Sequence, residues 1–275
     1  MERAGIERSI ITTYRKVIWS RFVKGVKEYA LIEEGDEIAV CISGGKDSML
    51  LAKCMQELQA HGEKKFGLKF LCMDPGYAPE NRALIEENAQ KLGIPLHIFG
   101  SQIFEAVTHV EKSPCYLCAR MRRGHLYAKA KELGCNKIAL GHHKSDVIET
   151  TLMGMLYGGQ IQGMLPRIKS SNFEGMELIR PLYCILERDI LRWKEYNGLE
   201  FIACACRFTA SAAGQEMFSA RARVKALIEE LRKENPHVED CIFQSIHNVQ
   251  LDTLAAYKQR GVRHSFLENF GEQGE

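Results

Sequence analysis

From residue 36 onward, short apolar runs alternate with longer segments in which apolar residues recur at the spacing of one helix face. Within 48–60, apolar side chains occupy positions i, i+3, i+4 and i+7, namely Leu51, Cys54, Met55 and Leu58. The short runs predict strands at 37–42, 68–73, 96–99, 137–141 and 177–182. The longer segments predict helices at 48–60, 79–92, 116–133, 145–156, 187–197 and 214–235.

Strands that alternate with helices of this length are typical of βαβ units and of a parallel sheet covered on both faces. The predicted fold class is therefore α/β: a parallel five-stranded sheet with helices on both faces, plus N- and C-terminal helical extensions. We expect a helical extension over 1–31 and a central α/β domain over 32–200. The remaining segment, 201–275, carries cysteines and C-terminal helices that we expect to pack on the same domain.

The composition narrows the function classes only modestly. Apolar residues make up 45% and charged residues 26% of the 275 residues, as in an ordinary globular protein. No apolar run approaches the ~20 residues that cross a bilayer, and the first residues lack the apolar core of a secretory signal. We therefore expect a cytoplasmic protein without a membrane segment. The net charge of +2 permits nucleic-acid binding without requiring it.

A glycine-rich hexapeptide, SGGKDS at residues 43–48, lies between the first predicted strand and the helix after it. Open α/β sheets bind nucleotides at this position, at the carboxyl ends of their strands. Glycines let the backbone approach a ligand closely, and the free N–H groups of a helix N-terminus suit phosphate. The alternative is a plain strand-to-helix turn, but the complete hexapeptide in this context favours ATP binding.

Two commoner phosphate-binding loops do not fit the hexapeptide. A Walker A loop needs glycine where Val40 stands and serine or threonine where Asp47 stands. The G-x-G-x-x-G fingerprint of dinucleotide-binding proteins is absent from this region. The loop therefore indicates a different class of nucleotide site.

Ten cysteines are many for a chain expected in a reducing compartment. Most stand singly in apolar surroundings and are interpreted as small buried residues. Two close pairs differ: a C-x-x-C formed by Cys115 and Cys118, and a C-x-C formed by Cys204 and Cys206. The first pair alone is compatible with a metal half-site, a redox pair or chance. Joined with the second, it favours an iron–sulfur cluster, because C-x-C is not typical of structural zinc.

A dense basic patch follows the first cysteine pair on the predicted helix 116–133. Five basic residues stand there against one acidic residue: Arg120, Arg122, Arg123, Lys129 and Lys131 against Glu132. Because the guanidinium fork suits phosphate, this patch could hold polyphosphate, an RNA backbone or both. A solvated helix face is the alternative.

Polar and small residues also follow other predicted strands. Asp74 ends the second strand, where a carboxylate can contact ribose or metal or can form a turn. Gly141 and His142 end the fourth strand, and we expect them to face the nucleotide.

Together these stretches resemble the tRNA 2-thiocytidine biosynthesis proteins of the PP-loop ATP pyrophosphatase superfamily. The matching pieces occur in order at 43–48, 115–127, 137–143, 155–166 and 179–182, and at Cys204 with the helix after it. The resemblance implies a PP-loop ATP-binding domain over 32–200. The nucleotide would be held by Ser43, Gly44, Gly45, Lys46, Asp47, Ser48, Asp74, Gly141 and His142.

The resemblance further implies an ATP-dependent tRNA sulfurtransferase. ATP would adenylylate the C2 oxygen of a cytidine in the anticodon loop. Sulfur from a donor such as a cysteine desulfurase would then displace AMP and leave 2-thiocytidine. The implied cofactors are ATP, Mg²⁺ and a [4Fe–4S] cluster on Cys115, Cys118 and Cys204. The implied catalytic residues are Asp47, Arg122 and Asp146, with Arg122 stabilising charge at the α-phosphate. A homodimer is compatible with this interpretation.

The chain departs from the family pattern at two places. The C-x-C shortens the usual second C-x-x-C, so that Cys206 could replace Cys204 as the third ligand. Ser145 stands where the first of two aspartates is usual, which leaves Asp146 alone and predicts altered metal binding. Two alternatives remain open: a PP-loop ligase or amidotransferase-type enzyme on another nucleoside or a small molecule, with structural cysteines, and a non-catalytic nucleotide or cluster-binding module.

Overall fold

The computed structural model describes residues 2–101, 114–202 and 220–270, with the backbone alone at 114–119 and 269. The helices in these ranges are α1 (Arg3–Ile11), α2 (Ser20–Glu28), α3 (Lys46–His61), α4 (Pro79–Leu92), α5 (Pro114–Glu132), α6 (Lys144–Gly158), α7 (Glu187–Tyr196), α8 (Ala220–Glu234) and α9 (Val238–Ser245). The strands are β1 (Glu37–Cys41), β2 (Gly67–Asp74), β3 (Leu96–Gly100), β4 (Lys137–Ala139), β5 (Arg167–Lys169), β6 (Glu177–Ile179), β7 (Ala256–Gln259) and β8 (Val262–Ser265). Within the described ranges, no helix is both long and apolar enough to cross a bilayer.

The main sheet has the strand order β3-β2-β1-β4-β6-β5. The five strands predicted from the sequence are β1, β2, β3, β4 and β6, and all pair in parallel. This arrangement confirms the predicted α/β fold. The sixth strand, β5, was not predicted and pairs antiparallel to β6 at the sheet edge. Its three residues, Arg167–Lys169, contain one apolar residue between two basic ones, so no apolar run marks this strand in the sequence.

Helices cover both faces of the sheet. Neighbouring residues of β1 point to opposite faces, so each face has apolar side chains that a helix can bury. Ile38 and Val40 lie in the larger apolar core, which is formed with the buried faces of α2, α3, α4 and α7. Ala39 and Cys41 lie in a second core on the other side, where Tyr127 of α5 packs. Of the single cysteines interpreted as small buried residues, Cys41, Cys54, Cys72 and Cys135 are free and buried, whereas Cys184 is half-buried and Cys241 is exposed.

The N-terminal helices join the larger core. A π-helical turn, Arg15–Trp19, connects α1 to α2, and Ile6, Ile10 and Phe22 are fully or almost fully buried. The indole Nε1 of Trp193 in α7 donates to the Ser9 hydroxyl over 3.2 Å. Burial of these side chains attaches the first helices to the sheet domain.

The C-terminal helices pack on α6. Val224 and Ile228 of α8 and Phe243 of α9 form a third apolar cluster with Val147 and Ile148 of α6. A two-stranded hairpin, β7–β8, follows α9 near the end of the described residues. Because α6 starts at the end of β4, this cluster places the C-terminal helices beside the carboxyl edge, by which we mean the edge where the parallel strands end.

A buried ion pair joins the entry of β1 to β4. Lys137 Nζ lies 2.6 Å from Asp36 Oδ2, and their side chains are 2% and 4% exposed. Lys137 Nζ also donates to the Leu31 carbonyl, and Asp36 accepts from the Glu33 amide and the Asn136 side chain. Burial by itself would raise the pKa of Asp36, but the hydrogen bonds from Lys137, the Glu33 amide and Asn136, together with the charge of Lys137, lower it. The pair is satisfied on both sides, which is the condition for a buried charge to be tolerated.

We predict that Lys137→Met lowers the free energy of unfolding by about 3–5 kcal/mol, because it leaves the Asp36 carboxylate buried without its cation. Urea denaturation followed by circular dichroism measures the change. The exposed Lys24, which pairs with Glu28 on α2, supplies the control. Lys24→Met should cost less than about 1 kcal/mol. Equal losses for the two variants would contradict the structural role of the pair.

Candidate active site

The glycine-rich loop, residues 43–48, leaves β1 at the carboxyl edge and enters α3. Gly44 has φ 83°, a conformation that favours glycine. A Cβ at Gly44 would lie 2.5 Å from Ile85 Cγ1 and 2.7 Å from Ile202 Cδ1. The loop therefore requires glycine here for both its backbone conformation and its contact with the core.

Two serines hold the loop in shape. The Ser48 hydroxyl accepts from the Ser43 amide over 3.1 Å and donates to the Gly45 carbonyl over 3.0 Å. The Ser43 hydroxyl lies 3.2 Å from the same oxygen. Gly45 is the N-cap of α3, and no side chain caps the helix there. The first amides of α3 are thus left for an anion, which the helix dipole also favours.

Gly141, predicted to face the nucleotide, lies against the loop itself. A Cβ at this residue would be 3.1 Å from the Ser48 nitrogen and 3.2 Å from the Asp47 carbonyl carbon. The end of β4 and the start of α3 are therefore in backbone contact. Gly141 acts by allowing this approach, which brings the next two residues, His142 and His143, beside Asp47.

His143 links the two aspartates predicted to be catalytic. Its Nδ1 accepts from the Asp146 amide, and its own amide donates to Asp146 Oδ2, which forms a capping box at the start of α6. Its Nε2 lies 3.7 Å from Asp47 Oδ1. Asp47 Oδ1 is buried and has no hydrogen-bond partner among the described residues. The Asp47 carboxylate therefore has an oxygen available for a cation.

Asp146 is more fully engaged than the sequence analysis anticipated. One of its oxygens accepts from the His143 amide, and the other lies 3.1 Å from Arg221 Nη1. Burial alone would raise the pKa of Asp146, but the neighbouring His143 ring, its amide hydrogen bond, His142 and Arg221 together lower it. Within the described residues, the His143 ring connects Asp146 to Asp47. No role for His143 was predicted, because its cap geometry becomes visible only in the folded chain.

Lys46 is held by carboxylates on both sides. Its Nζ lies 3.2 Å from Asp47 Oδ2 and 2.9 Å from Glu187 Oε1. Glu187 also pairs with Lys225 of α8 over 3.0 Å. Burial would raise the pKa of Glu187, but Lys46 and Lys225 reverse this and lower it to about 2. Glu187 and Lys225 were not predicted as site residues, since nothing local in the sequence connects them to the loop.

Ser145, which replaces a carboxylate in the family pattern, contacts the same glutamate residue. Its hydroxyl accepts from the Glu187 amide over 3.1 Å, at the first residue of α7. Ser145 therefore joins the N-termini of α6 and α7. Altered metal binding as a consequence of Ser145 stays a prediction.

Asp74 forms a turn at the end of β2. Its Oδ1 accepts from the amides of Gly76 and Tyr77, each over 2.8 Å, and its Oδ2 lies 3.1 Å from Arg82 Nη1. Both oxygens are occupied, which supports the turn-forming alternative for this residue. Arg122, predicted to be catalytic, places its Nη2 3.3 Å from the Tyr77 hydroxyl at this turn.

Arg180, just after β6, is a buried cation that the sequence analysis missed. Its side chain is 6% exposed, and its Nε has no hydrogen-bond partner among the described residues. Burial, followed by the charge of Arg123, lowers the pKa of Arg180 to about 10. Burial and the charge of Arg180 likewise lower the pKa of His142 to about 4. Arg180 and Arg123 therefore bring two positive charges close together at this edge, which suits phosphate.

The cysteine pair starts the helix that brings Arg122 to this edge. The Lys69 ammonium, early in β2, donates to the Leu133 carbonyl, whereas Arg122 reaches Tyr77 beyond the end of β2. Hence α5 runs antiparallel to β2 and begins at the carboxyl edge. Cys115 and Cys118 lie in its first turns, and one turn, about 5–6 Å, separates Cys118 from Arg122 along the axis. Cys204 and Cys206 lie outside the described residues.

Comparisons with known proteins agree with this architecture. Residues 16–206 match a family model described as a PP-loop domain. The tRNA-cytidine(32) 2-sulfurtransferase of Geotalea daltonii is 36% identical over 239 residues, which cover 86% of this chain and 92% of that protein. The protein of the same name from Geobacter metallireducens is 35% identical over 240 residues, with 86% and 91% coverage. This chain belongs to the tRNA-cytidine(32) 2-sulfurtransferase family of PP-loop proteins. The resemblance seen in the sequence is thereby confirmed.

Among solved structures, this PP-loop protein is similar to the U34-tRNA thiolase NcsA from Methanococcus maripaludis, a structure that includes a [4Fe–4S] cluster. The TM-score is 0.66 with 20% identity, and the match covers 83% of this chain and 77% of that protein. At this identity the likeness is evidence for the shared fold.

We predict that His142→Asn flattens the dependence of stability on pH between 6.5 and 4. In this window the unfolded chain binds a proton at His142 that the folded chain does not, so the free energy of unfolding falls as the pH falls. The contribution is at most about 1.4 kcal/mol per pH unit. Urea denaturation at several pH values measures it. His97→Asn, at an exposed position, controls for loss of a histidine. Parallel curves for wild type and His142→Asn would refute the burial of neutral His142.

Proposed function

We propose that this protein is an ATP-dependent tRNA sulfurtransferase that converts cytidine 32 of tRNA to 2-thiocytidine. The observation that carries the proposal is the meeting, at one sheet edge, of an uncapped phosphate loop with the cysteine- and arginine-bearing start of α5. Relatives with this name cover most of the chain at about one-third identity, which supports the choice of substrate. The proposed location is the cytoplasm.

The nucleotide is bound by the loop and the residues around it. The β- and γ-phosphates of ATP lie against the free amides of α3, with Lys46 as their cation. Because Lys46 pairs with both Asp47 and Glu187, a phosphate at the loop would compete with these carboxylates for its ammonium. The unpartnered Asp47 Oδ1 fits a Mg²⁺ ligand, since Mg²⁺ is usually held by one or two carboxylates together with substrate phosphates.

The first chemical step is attack of the cytidine C2 oxygen on the α-phosphorus. The bond between the α-phosphorus and the bridging oxygen breaks, and pyrophosphate leaves. Arg122 stabilises the negative charge that develops on the α-phosphate oxygens. Arg180, buried and with a free Nε, adds a second fixed positive charge at the same edge. In the second step, a sulfur nucleophile attacks C2 and AMP leaves with the original oxygen.

The sulfur chemistry requires a cluster on Cys115, Cys118 and either Cys204 or Cys206. Thiolates are the usual ligands of iron–sulfur clusters, so the donor set fits. When bound by three cysteines, the cluster supplies an open iron that can hold sulfur. The donor is a partner such as a cysteine desulfurase, and a homodimer is compatible with the proposal.

The decisive experiment is mass spectrometry of nucleosides from bulk tRNA, comparing a deletion strain with its complemented parent. We expect 2-thiocytidine to vanish on deletion and to return on complementation. If a different thionucleoside is lost, the proposed sulfur-transfer chemistry stands, but the target nucleoside is a different one. Unaltered tRNA would overturn the proposal in favour of an enzyme on a small molecule.

We predict that Asp47→Asn lowers the thiolation rate by about 10²-fold or more, because it removes charge at the phosphates and the cation. Single-turnover thiolation of tRNA from the deletion strain measures the rate. Glu28→Gln is the control for loss of a carboxylate charge, since Glu28 pairs with Lys24 on the surface of α2. It should retain the thiolation rate and cost less than about 1 kcal/mol of stability. A wild-type rate for Asp47→Asn would refute the role of this carboxylate.

A further inference from the structure

A groove of about 1000 Å³ lies at the far end of α6 from the glycine loop, between the end of α6 and the hairpin β7–β8. Its walls include Met155, Gly159 and Ile161 on one side and Tyr257, Lys258 and Arg263 on the other. Met155 and Ile161 are 48% and 58% exposed. Neither the fold nor the proposed chemistry explains why such a surface is left open.

The hairpin places two positive charges directly opposite each other. Lys258 and Arg263 are cross-strand partners in the β7–β8 register. Like charges at such positions destabilise a sheet. Residues 256–265 contain no Asp or Glu, and neither cation pairs with a carboxylate among the described residues. An anionic ligand would turn this unfavourable arrangement into a favourable one.

An aromatic pair stands on the opposite face of the same hairpin, because successive residues of a strand point to opposite sides. Tyr257 stacks on His264 with 4.9 Å between ring centroids and an angle of 22° between ring planes. Tyr257 also lines the groove, together with Lys258 and Arg263. A hairpin that carries both flat rings and cations has the features with which proteins bind unpaired nucleotides. The two cations without a carboxylate partner among the described residues favour a polyanion such as RNA over a protein partner, for which the exposed apolar residues alone would suffice.

The distance to the active site fits one extended ligand. Helix α6 begins at the His143 cap beside Asp47 and ends at Gly158 in the groove wall. Its 15 residues span about 21 Å. A single nucleotide is too small to occupy both places, whereas a tRNA can present one base at the glycine loop while its backbone reaches the hairpin.

We infer that the groove between α6 and β7–β8 binds the tRNA backbone away from the reacting cytidine, with Lys258 and Arg263 contacting phosphates. This inference rests on the proposed function and assigns a docking surface to its substrate. The groove contributes to affinity and register, and the chemistry remains at the loop.

The test is the double variant Lys258→Gln/Arg263→Gln, assayed with tRNA purified from the deletion strain. At about 0.1 M salt we expect tRNA binding to weaken roughly tenfold or more. The slope of log affinity against log salt should fall by about 1.4–1.8, since each lost phosphate contact removes about 0.7–0.9. The Kd for ATP and the thiolation rate at saturating tRNA should stay unchanged.

A control with the same loss of two positive charges is available at Lys65, which precedes β2, and Lys91, which lies near the end of α4. Lys65→Gln/Lys91→Gln should leave tRNA affinity and salt slope at wild-type values. Thermal unfolding of both double variants checks that they fold.

Three results would overturn the inference. Wild-type affinity and salt slope in the Lys258/Arg263 variant would show that the groove does not hold RNA. Normal tRNA binding with slow thiolation from a protein sulfur donor, but normal thiolation with free sulfide, would identify a protein-docking site instead. If the wild-type protein binds no tRNA, the proposed function itself fails, which separates that outcome from the first two.

Discussion

The close backbone contact between the glycine loop and the end of β4 is the constraint on which the rest of the site depends. A side chain on Gly44 would enter the space of Ile85 and Ile202, and one on Gly141 would press against the backbone of Ser48. Without these side chains, α3 starts directly beside the residues that follow β4. The uncapped amides of α3, the Asp47 carboxylate and the histidine pair therefore share one small volume.

A chain of charges extends this volume to the C-terminal helices. Lys46 pairs with Glu187, Glu187 with Lys225, and Arg221 with Asp146. The first contact joins α3 to α7, the second joins α7 to α8, and the third joins α8 to α6. Because the charges are partly buried, water screens them less than it screens surface pairs. Occupation of the loop by phosphate therefore changes the electrostatic environment of α8 as well as that of Lys46.

Local pattern predicted most of the fold. The periodic helices and the five parallel strands follow from spacing that each segment carries within itself. The antiparallel strand β5 was missed because its three residues carry no apolar run, so that only its pairing with β6 reveals it. In the site, the turn around Asp74 was one of two alternatives until its amide partners were visible. The division of the chain into three parts and the third cysteine ligand stay predictions.

The sequence by itself determined the phosphate loop and the family, because the residues concerned are consecutive or regularly spaced. Tertiary structure alone decided which distant groups meet there. Lys46 and Glu187 are 141 positions apart, and Asp146 and Arg221 are 75 apart. Arg180 is buried in the folded chain and has no carboxylate partner among the described residues, which its position in the sequence does not indicate. Such pairings depend on how the helices pack across the sheet, and this packing cannot be predicted from the spacing of residues along the chain.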